Sequence, residues 1–305
     1  MAKPSAPLID LKTYGDKISK GSLYWDDFIY EKVQQFHINR LEDYLKHSSA
    51  NEFPIPPHRK SLYDIIFVTN GSVKRTKALN EYTIKKNQIF FLPAYQITSM
   101  SGMFQNAKGF FCHFDAAFIN ELANSLDKLS EFNFLTFNAN PVYTISKTDI
   151  NFITSIFERL LLEYKKDDAC NLKYIYSILL CLFYSLQTNA NYQIVGQDSA
   201  ANIITQNFNK LLLENISNEQ GLLFYANNLS ITVDYLNKCV KKVYGKTAKQ
   251  YLDEMFLLEA KVLLKQSNLP IAQIANQFGK HNASDFSRFF KQKTGMTPLD
   301  YRKKS

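Results

Sequence analysis

The side chains best suited to recognising another molecule lie near the end of the chain. Four small, polar or basic residues recur there at helical spacing and share one side of a helix: Ser284, Ser287, Arg288 and Lys291. Phenylalanines occupy the opposite side, at Phe286, Phe289 and Phe290. Hydroxyl and guanidinium groups donate hydrogen bonds to base edges and phosphates. The pattern predicts a helix that packs through one side and touches a polar partner through the other.

A second helix is expected immediately before this one. Ile271, Ile274, Ala275 and Phe278 follow the i, i+3, i+4, i+7 spacing of a helix that rests on a core, and Gly279 is predicted to end it. Two short helices joined by a glycine-containing turn are typical of a helix-turn-helix, whose second helix enters a DNA groove.

The sequence repeats itself when it is shifted by fifty residues. Residue types agree at seven aligned pairs: Leu236 and Phe286, Lys238 and Arg288, Val240 and Phe290, Lys241 and Lys291, Gly245 and Gly295, Thr247 and Thr297, Tyr251 and Tyr301. The region is therefore predicted to hold two helix-turn-helix units. In the first unit the outer face carries Asp234, Asn237, Lys238 and Lys241.

The segment between the two units is predicted to be one long helix. Thr232 is a candidate N-cap for the helix before it, and Gly245 is expected to end that helix. Thr247 to Gln250 has the form of a capping box, which opens a helix reaching to about Gln266. Such a helix is roughly 30 Å long, close to the roughly 34 Å turn of B-DNA. One chain could then read two adjacent half-sites without dimerising.

Net charge is concentrated in the same region. Residues 201–305 hold 15 basic and 8 acidic side chains, which leaves 21 against 20 in residues 1–200. Such an excess of positive charge in one part of the chain is typical of a domain that binds a polyanion and is joined to a near-neutral domain. A basic face that only contacts water is the alternative interpretation.

Ala226–Tyr301 resembles the DNA-binding domain of AraC/XylS-type bacterial transcription regulators. The motifs that carry the resemblance are IAQIANQFG and SDFSRFFKQKTGMTPLDYR. Three positions depart from the family pattern, namely Val240, Phe256 and Lys280, and they leave the packing around the second turn open. The resemblance implies a bacterial transcription regulator with double-stranded DNA as its partner, and the sequence leaves open whether it is an activator or a repressor.

The resemblance also assigns base-facing residues, namely Asp234, Asn237, Lys238, Ala283, Ser284, Ser287 and Arg288. By its chemistry Arg288 can give two donors to guanine O6 and N7, and Asp234 can accept from the cytosine N4 amine. Candidate phosphate contacts are Thr232, Lys241, Lys242, Lys246, Lys280, Lys291 and Lys293. For any single lysine, solvation without a phosphate partner is the competing interpretation.

The first two thirds of the chain predict a different kind of domain. Short strand-like runs lie at about 36–114, with a tight-turn dipeptide at Asn70-Gly71, and helical periods follow at about 117–187. The stretch HSSANEFPIPPH is expected to be turn-rich. A barrel or sandwich is predicted, with an interior formed by Ile65, Phe67, Ile89, Phe91, Phe110 and Phe114.

The resulting fold class is α+β multidomain, with an N-terminal cupin-like β-barrel or sandwich and flanking helices before an all-α C-terminal domain of two helix-turn-helix units. The expected ranges are a flexible leader at 1–22, a sensing or dimerisation domain at 23–187, a linker at 188–201 and the DNA-binding domain at 202–305. The helical runs at 149–164 and 172–186 are apolar around much of their circumference. They either cover the barrel or pair between the subunits of a homodimer.

The N-terminal region resembles the cupin-like sensing domain of many such regulators through its strand pattern, Pro57-His58 and the run NQIFFLP. A cupin enzyme needs metal ligands such as an HxH pair, and none of the five histidines forms one. We expect a pocket without metal or cofactor that binds a small-molecule effector, lined by His58, Arg59, Tyr63 and Tyr95. A cupin-type metalloenzyme using His58 and His113, and a regulator with no ligand, are the alternatives.

Targeting and cysteine patterns complete the expectations. The start of the chain lacks a basic segment followed by an apolar run, and the longest apolar stretch, Ile175–Leu186, is shorter than the roughly 20 residues that span a bilayer. A cytoplasmic protein without membrane contact is therefore expected. Its four cysteines are scattered singly, which favours buried free thiols.

Overall fold

The structure is a computed structural model that describes residues 8–9, 35–43, 55–100, 106–124, 128–137, 139–166, 171–188, 200–216, 221–278 and 282–303. Contacts divide the described residues into two compact units. One is built mainly from residues 60–195, and the other from residues 196–305 together with 56–59. The predicted leader lies almost entirely outside the described residues, as does most of the linker. None of the described helices is long and apolar enough to cross a membrane.

The strands are β1 (Leu8–Ile9), β2 (Phe36–Arg40), β3 (Ile55–Lys60), β4 (Tyr63–Asn70), β5 (Ser72–Lys77), β6 (Asn80–Lys85), β7 (Gln88–Leu92), β8 (Ile97–Met100), β9 (Lys108–Phe114) and β10 (Val142–Thr144). A five-stranded antiparallel sheet has the order β10-β7-β4-β9-β2. Strands β5 and β6 form a hairpin, and β1, β3 and β8 form a third sheet. The mixed organisation of a sheet-containing N-terminal part and a helical C-terminal part is confirmed, whereas closure into a cupin-like barrel stays a prediction.

The six residues predicted for the barrel interior are all buried, but they face helices. Ile65, Phe67, Ile89, Phe91, Phe110 and Phe114 belong to one core with α2 (Ile150–Tyr164) and α3 (Leu172–Gln187). Phe157 of α2, for example, lies 5.0 Å from the Phe67 ring and 5.4 Å from the Phe110 ring, centroid to centroid. The alternation of β4, β7 and β9 was predicted correctly, and the partner of that face was not.

The opposite face of the same sheet is also buried. Ile66, Val68, Phe90 and Phe111 point to that side and pack with Val73 and Ile84 of the β5-β6 hairpin. Burial on both faces explains why apolar residues occupy both sides of β4.

Three strands were not predicted from the sequence: β1, which lies in the expected leader, β3 and β10. The stretch predicted to be turn-rich contains β3, which begins with Ile55 and two prolines. Proline is tolerated at the start of a strand although it lacks the donor for a ladder hydrogen bond, so its turn signal was misleading here. Strand β10 has only three residues, too few for a periodic signal.

The remaining helices agree with the predicted helical stretches except α10, which was not predicted from the sequence. They are α1 (Ala116–Leu122), α4 (Ala200–Asn215), α5 (Leu222–Asn228), α6 (Val233–Tyr244), α7 (Ala248–Gln266), α8 (Ile271–Gln277), α9 (Ala283–Thr294) and α10 (Pro298–Lys303), with short 3-10 turns at Lys128–Glu131 and Asn133–Leu135. The predicted stop at Gly279 lies outside the described residues.

The C-terminal helices repeat the same local structure twice. Gly245 and Gly295 end α6 and α9 in the left-handed conformation, with φ of 72° and 80°, which glycine adopts without steric cost. Their amides donate to the carbonyls of Lys241 and Lys291 at 2.9 and 2.8 Å. Thr247 forms the predicted capping box with Gln250 before α7. The helices α5-α6 and α8-α9 are therefore two equivalent helix-turn-helix units on either side of α7.

Candidate nucleic-acid interface

Helix α6 is the second helix of the first unit and the one predicted to enter a DNA groove, so we call it the first reading helix. It exposes part of the predicted base-facing set to solvent. The Thr232 hydroxyl accepts from the Tyr235 amide at 3.2 Å and so caps the helix. Asp234 and Lys238 are exposed. Asn237 is half-buried, and its side-chain oxygen accepts from the Ala248 amide at 3.0 Å. Asn237 therefore holds the first turn of α7, and Asp234 and Lys238 are the freer side chains for base edges.

The second reading helix, α9, repeats this face with one chemical difference. Asn282 caps it by accepting from the Ser284 amide at 2.8 Å. Ser284 and Arg288 are exposed, while Ala283 and Ser287 are half-buried. Ser287 is the counterpart of Asn237, but the counterpart of Ala248 is Pro298, which has no amide hydrogen to donate. Ser287 is thus not used as a cap for the next helix.

Arg288 is the most prominent side chain of this surface. Its side chain is 81% exposed, and one of its terminal nitrogens lies 4.0 Å from the Asp285 carboxylate, which is 59% exposed. An exposed pair at that distance contributes little to stability. The guanidinium is therefore available to an outside partner.

The lysines predicted to contact phosphate divide into two groups. Lys241, Lys242, Lys291 and Lys293 are exposed on the last turns of α6 and α9. Lys246 instead donates to both carboxylate oxygens of Glu254, at 2.9 and 2.7 Å, so its charge is largely neutralised. Lys280 lies outside the described residues. The Thr232 hydroxyl is engaged as a cap.

The connecting helix α7 is more deeply buried than an amphipathic surface helix. Every residue from Met255 to Ala260 is buried, including Glu259. Arg59, grouped by its contacts with this unit, forms an ion pair with Glu259. Burial lowers the pKa of Arg59 to about 10. This packing holds α7, the helix that connects the two units, in place.

The sequence analysis missed two residues on the reading helices. Tyr235 is 43% exposed in the first turn of α6, and Asp285 occupies the equivalent position of α9. The fifty-residue shift aligns them, so the repeat itself contained the signal.

The four predicted effector-binding residues lie in different surroundings. His58 and Arg59 are buried in β3, and Arg59 pairs with Glu259. The Tyr63 ring stacks on Phe114, with centroids 5.2 Å apart, and Tyr95 is exposed in a turn with φ of 65°. The role of these four residues in ligand binding stays a prediction.

A buried polar cluster, not predicted, lies at one end of the five-stranded sheet. Asp64 accepts hydrogen bonds from Lys60 at 2.7 and 2.5 Å, from Arg75 at 2.7 Å and from His113 Nδ1 at 3.1 Å. The neighbouring cations hold the pKa of Asp64 well below its usual range despite burial. Burial lowers the pKa of Lys60 to about 8 and that of His113 to about 4. The cluster ties β3 and β5 to β4 and β9.

No group of three potential metal ligands occurs among the described residues. His113, one of the two histidines considered for a metal, instead bonds to Asp64 and stacks on His37, with ring centroids 5.5 Å apart. His37 in turn lies 2.6 Å from the Tyr164 hydroxyl, measured from Nδ1. The pKa of His37 is lowered well below its ordinary value, first by burial and then by His113.

Comparison with known proteins finds a helix-turn-helix family model and several bacterial regulators that this chain resembles. Residues 225–304 match the family model described as a helix-turn-helix domain. The chain is 22% identical over 257 residues to the HTH-type transcriptional regulator YisR of Bacillus subtilis, covering 80% of this chain and 86% of that protein. It is 26% identical over 169 residues to the HTH-type transcriptional activator RhaR of Cronobacter sakazakii, covering 54% and 58%. A solved structure of ToxT from Vibrio cholerae aligns with a TM-score of 0.47 at 18% identity, over 88% of this chain and 98% of that one.

Proposed function

We propose that this chain, a DNA-binding transcription regulator with an AraC-type helix-turn-helix domain, reads two adjacent half-sites with α6 and α9. Base contacts come from Asp234, Lys238, Ala283, Ser284, Ser287 and Arg288, and from the amide N–H groups of Asn237, whose oxygen holds α7. Arg288 makes the most specific of these contacts. The lysines on the last turns of both helices contact phosphates.

One observation carries the proposal. Two helix-turn-helix units, whose second helices both end at a left-handed glycine, flank the buried helix α7 in the sequence, and each exposes a polar, basic face. The 19 residues of α7 span about 28 Å at 1.5 Å per residue. That length is comparable to one turn of B-DNA, about 34 Å. The spacing suits two major-groove contacts on one side of a duplex.

The N-terminal unit is proposed to control this binding in the cytoplasm, without enzymatic activity, by binding a small molecule or by forming a homodimer. Support for a homodimer comes from α2 and α3, which bury one side on the sheet and leave Phe152, Leu162, Tyr174 and Tyr184 substantially exposed on the other. Sedimentation of the full chain tests the homodimer. A monomer at every protein concentration would refute dimerisation. Thermal-shift screening with metabolites tests the effector, because a ligand that binds only the folded state raises the Tm.

Selection of duplexes from a random library, followed by footprinting, tests the DNA-reading proposal. We expect two protected half-sites about one helical turn apart. Arg288→Ala should cost about 1 to 3 kcal/mol on the selected duplex and relax the preference in one half-site only. Lys238→Ala should act on the other half-site. An unchanged base preference of the Arg288 variant would refute the assignment of Arg288.

A further inference from the structure

Asp285 and Arg288 are neighbours on the exposed face of α9. Asp285 lies in the first turn of the helix, and Arg288 follows one turn later on the same side, 4.0 Å away. From this geometry we infer that Asp285 is a positioning residue that orients the Arg288 guanidinium toward a guanine in the major groove. The inference rests on the proposed base contact of Arg288 and adds a second residue to it.

The physical reason is the flexibility of arginine. Ordering a long exposed side chain on binding costs free energy, and the attraction of a carboxylate 4.0 Å from the guanidinium lowers that cost by favouring one orientation of the side chain. Arginine has five donors in a planar fork, so it can contact a carboxylate and still present two donors to guanine O6 and N7. The pair is exposed and contributes little to folding, so its effect should appear in DNA recognition.

The carboxylate also has an opposite effect on binding to any DNA. A negative charge on a helix that approaches phosphates is repelled by them whatever the base sequence. Asp285 should therefore weaken binding to unrelated DNA while it strengthens discrimination at one base pair. These two effects have opposite signs, and they separate a positioning role from a purely structural one.

The first unit lacks this arrangement. There Lys238 replaces Arg288 and Tyr235 replaces Asp285. Lysine acts as a compact charge on a flexible stem and cannot give the planar two-donor contact. The two half-sites should thus be read unequally, with a stricter guanine requirement in the half-site bound by α9.

The experiment compares five full-length proteins: the wild type, Asp285→Asn, Arg288→Ala, the double variant, and Asp253→Asn as a control. Asp253 has a similar ion pair, 3.0 Å from Lys249, but lies on α7 rather than on a reading helix. Dissociation constants are measured for the selected duplex, for the same duplex with the guanine pair at the Arg288 position exchanged, and for an unrelated duplex. The Tm of each protein is measured in parallel.

We expect Asp285→Asn to reduce discrimination between the first two duplexes by about 2- to 10-fold, the range for ordering one side chain. Its affinity for the unrelated duplex should rise, and its Tm should stay close to the wild-type value. In the Arg288→Ala background the same change should leave discrimination unaffected. Asp253→Asn should leave discrimination unaltered.

Two results would overturn the inference. If Asp285→Asn strengthens binding to all three duplexes by the same factor, the carboxylate only repels phosphate. If it lowers Tm and weakens all three equally, Asp285 only stabilises the start of α9. If Arg288→Ala itself leaves discrimination unchanged, the proposed base contact fails, and that failure is seen independently of Asp285.

Discussion

Replacing the lysines of the reading helices should change the salt dependence of DNA binding in a way that the structure makes quantitative. Lys241, Lys242, Lys291 and Lys293 are exposed, and none of them forms an ion pair with a described residue. Each lysine that neutralises a phosphate contributes about 0.9 to the slope of log K against log salt concentration. Changing all four to glutamine should therefore lower the magnitude of the slope by about 3 to 4.

Lys246 provides the internal comparison. Its ammonium group is held by both oxygens of Glu254, so binding a phosphate would require breaking that pair. Lys246→Gln should lower the slope by clearly less than about 0.9. Lys108→Gln, which removes an exposed lysine from β9 in the N-terminal unit, is the charge-matched control and should leave the slope unchanged.

Fluorescence anisotropy with a labelled duplex, titrated between about 50 and 200 mM salt, measures these slopes. The base preference should survive the lysine changes, because phosphate contacts position the protein without reading sequence. A slope that is the same for the fourfold variant and the wild type would refute the phosphate assignment. A loss from Lys246→Gln as large as the average loss per exposed lysine would refute the role given to Glu254.

Three further outcomes follow from buried polar contacts. Asn237→Ala should destabilise the C-terminal unit by about 1 kcal/mol in denaturant unfolding, through loss of its hydrogen bond to the start of α7. Asp64→Asn removes the carboxylate that pairs with buried Lys60 and Arg75 and should cost about 3 to 5 kcal/mol in the same measurement; an unchanged free energy of unfolding would refute the stabilising role of these ion pairs. The pKa of His113, lowered to about 4 by burial, means that the folded state binds fewer protons than the unfolded state between pH 4 and its ordinary value of 6.5. Stability should fall as pH decreases through that window, and the NMR signal of His113 should not titrate above about pH 5.

The sequence predicted the local structure of the C-terminal third almost completely. The Thr247 capping box, the glycine stop at Gly245 and the apolar period of α6 each depend on residues within a few positions of one another. Such short-range signals are independent of the rest of the molecule. The fifty-residue repeat then predicted two equivalent units from sequence alone.

The N-terminal unit was predicted less fully because its strands are stabilised by contacts with residues far away in the sequence. The burial of Ile65 and Phe67 followed from alternation, yet whether that face would meet helices or other strands depended on α2 and α3, more than eighty residues later. Pro56 and Pro57 suggested a turn where β3 forms. When a strand is stabilised by pairing with other strands, its own residue types give only a weak signal that a strand will form.

The sequence by itself predicted a basic, twice-repeated helical domain in the last third of this chain. Tertiary structure alone decided which of the predicted contact residues are available. Asn237 is used to hold α7, Lys246 is neutralised by Glu254, and Arg288 remains exposed beside Asp285. Helical spacing places a side chain on a face, but only packing and the nearest opposite charge decide whether that side chain is free to bind DNA.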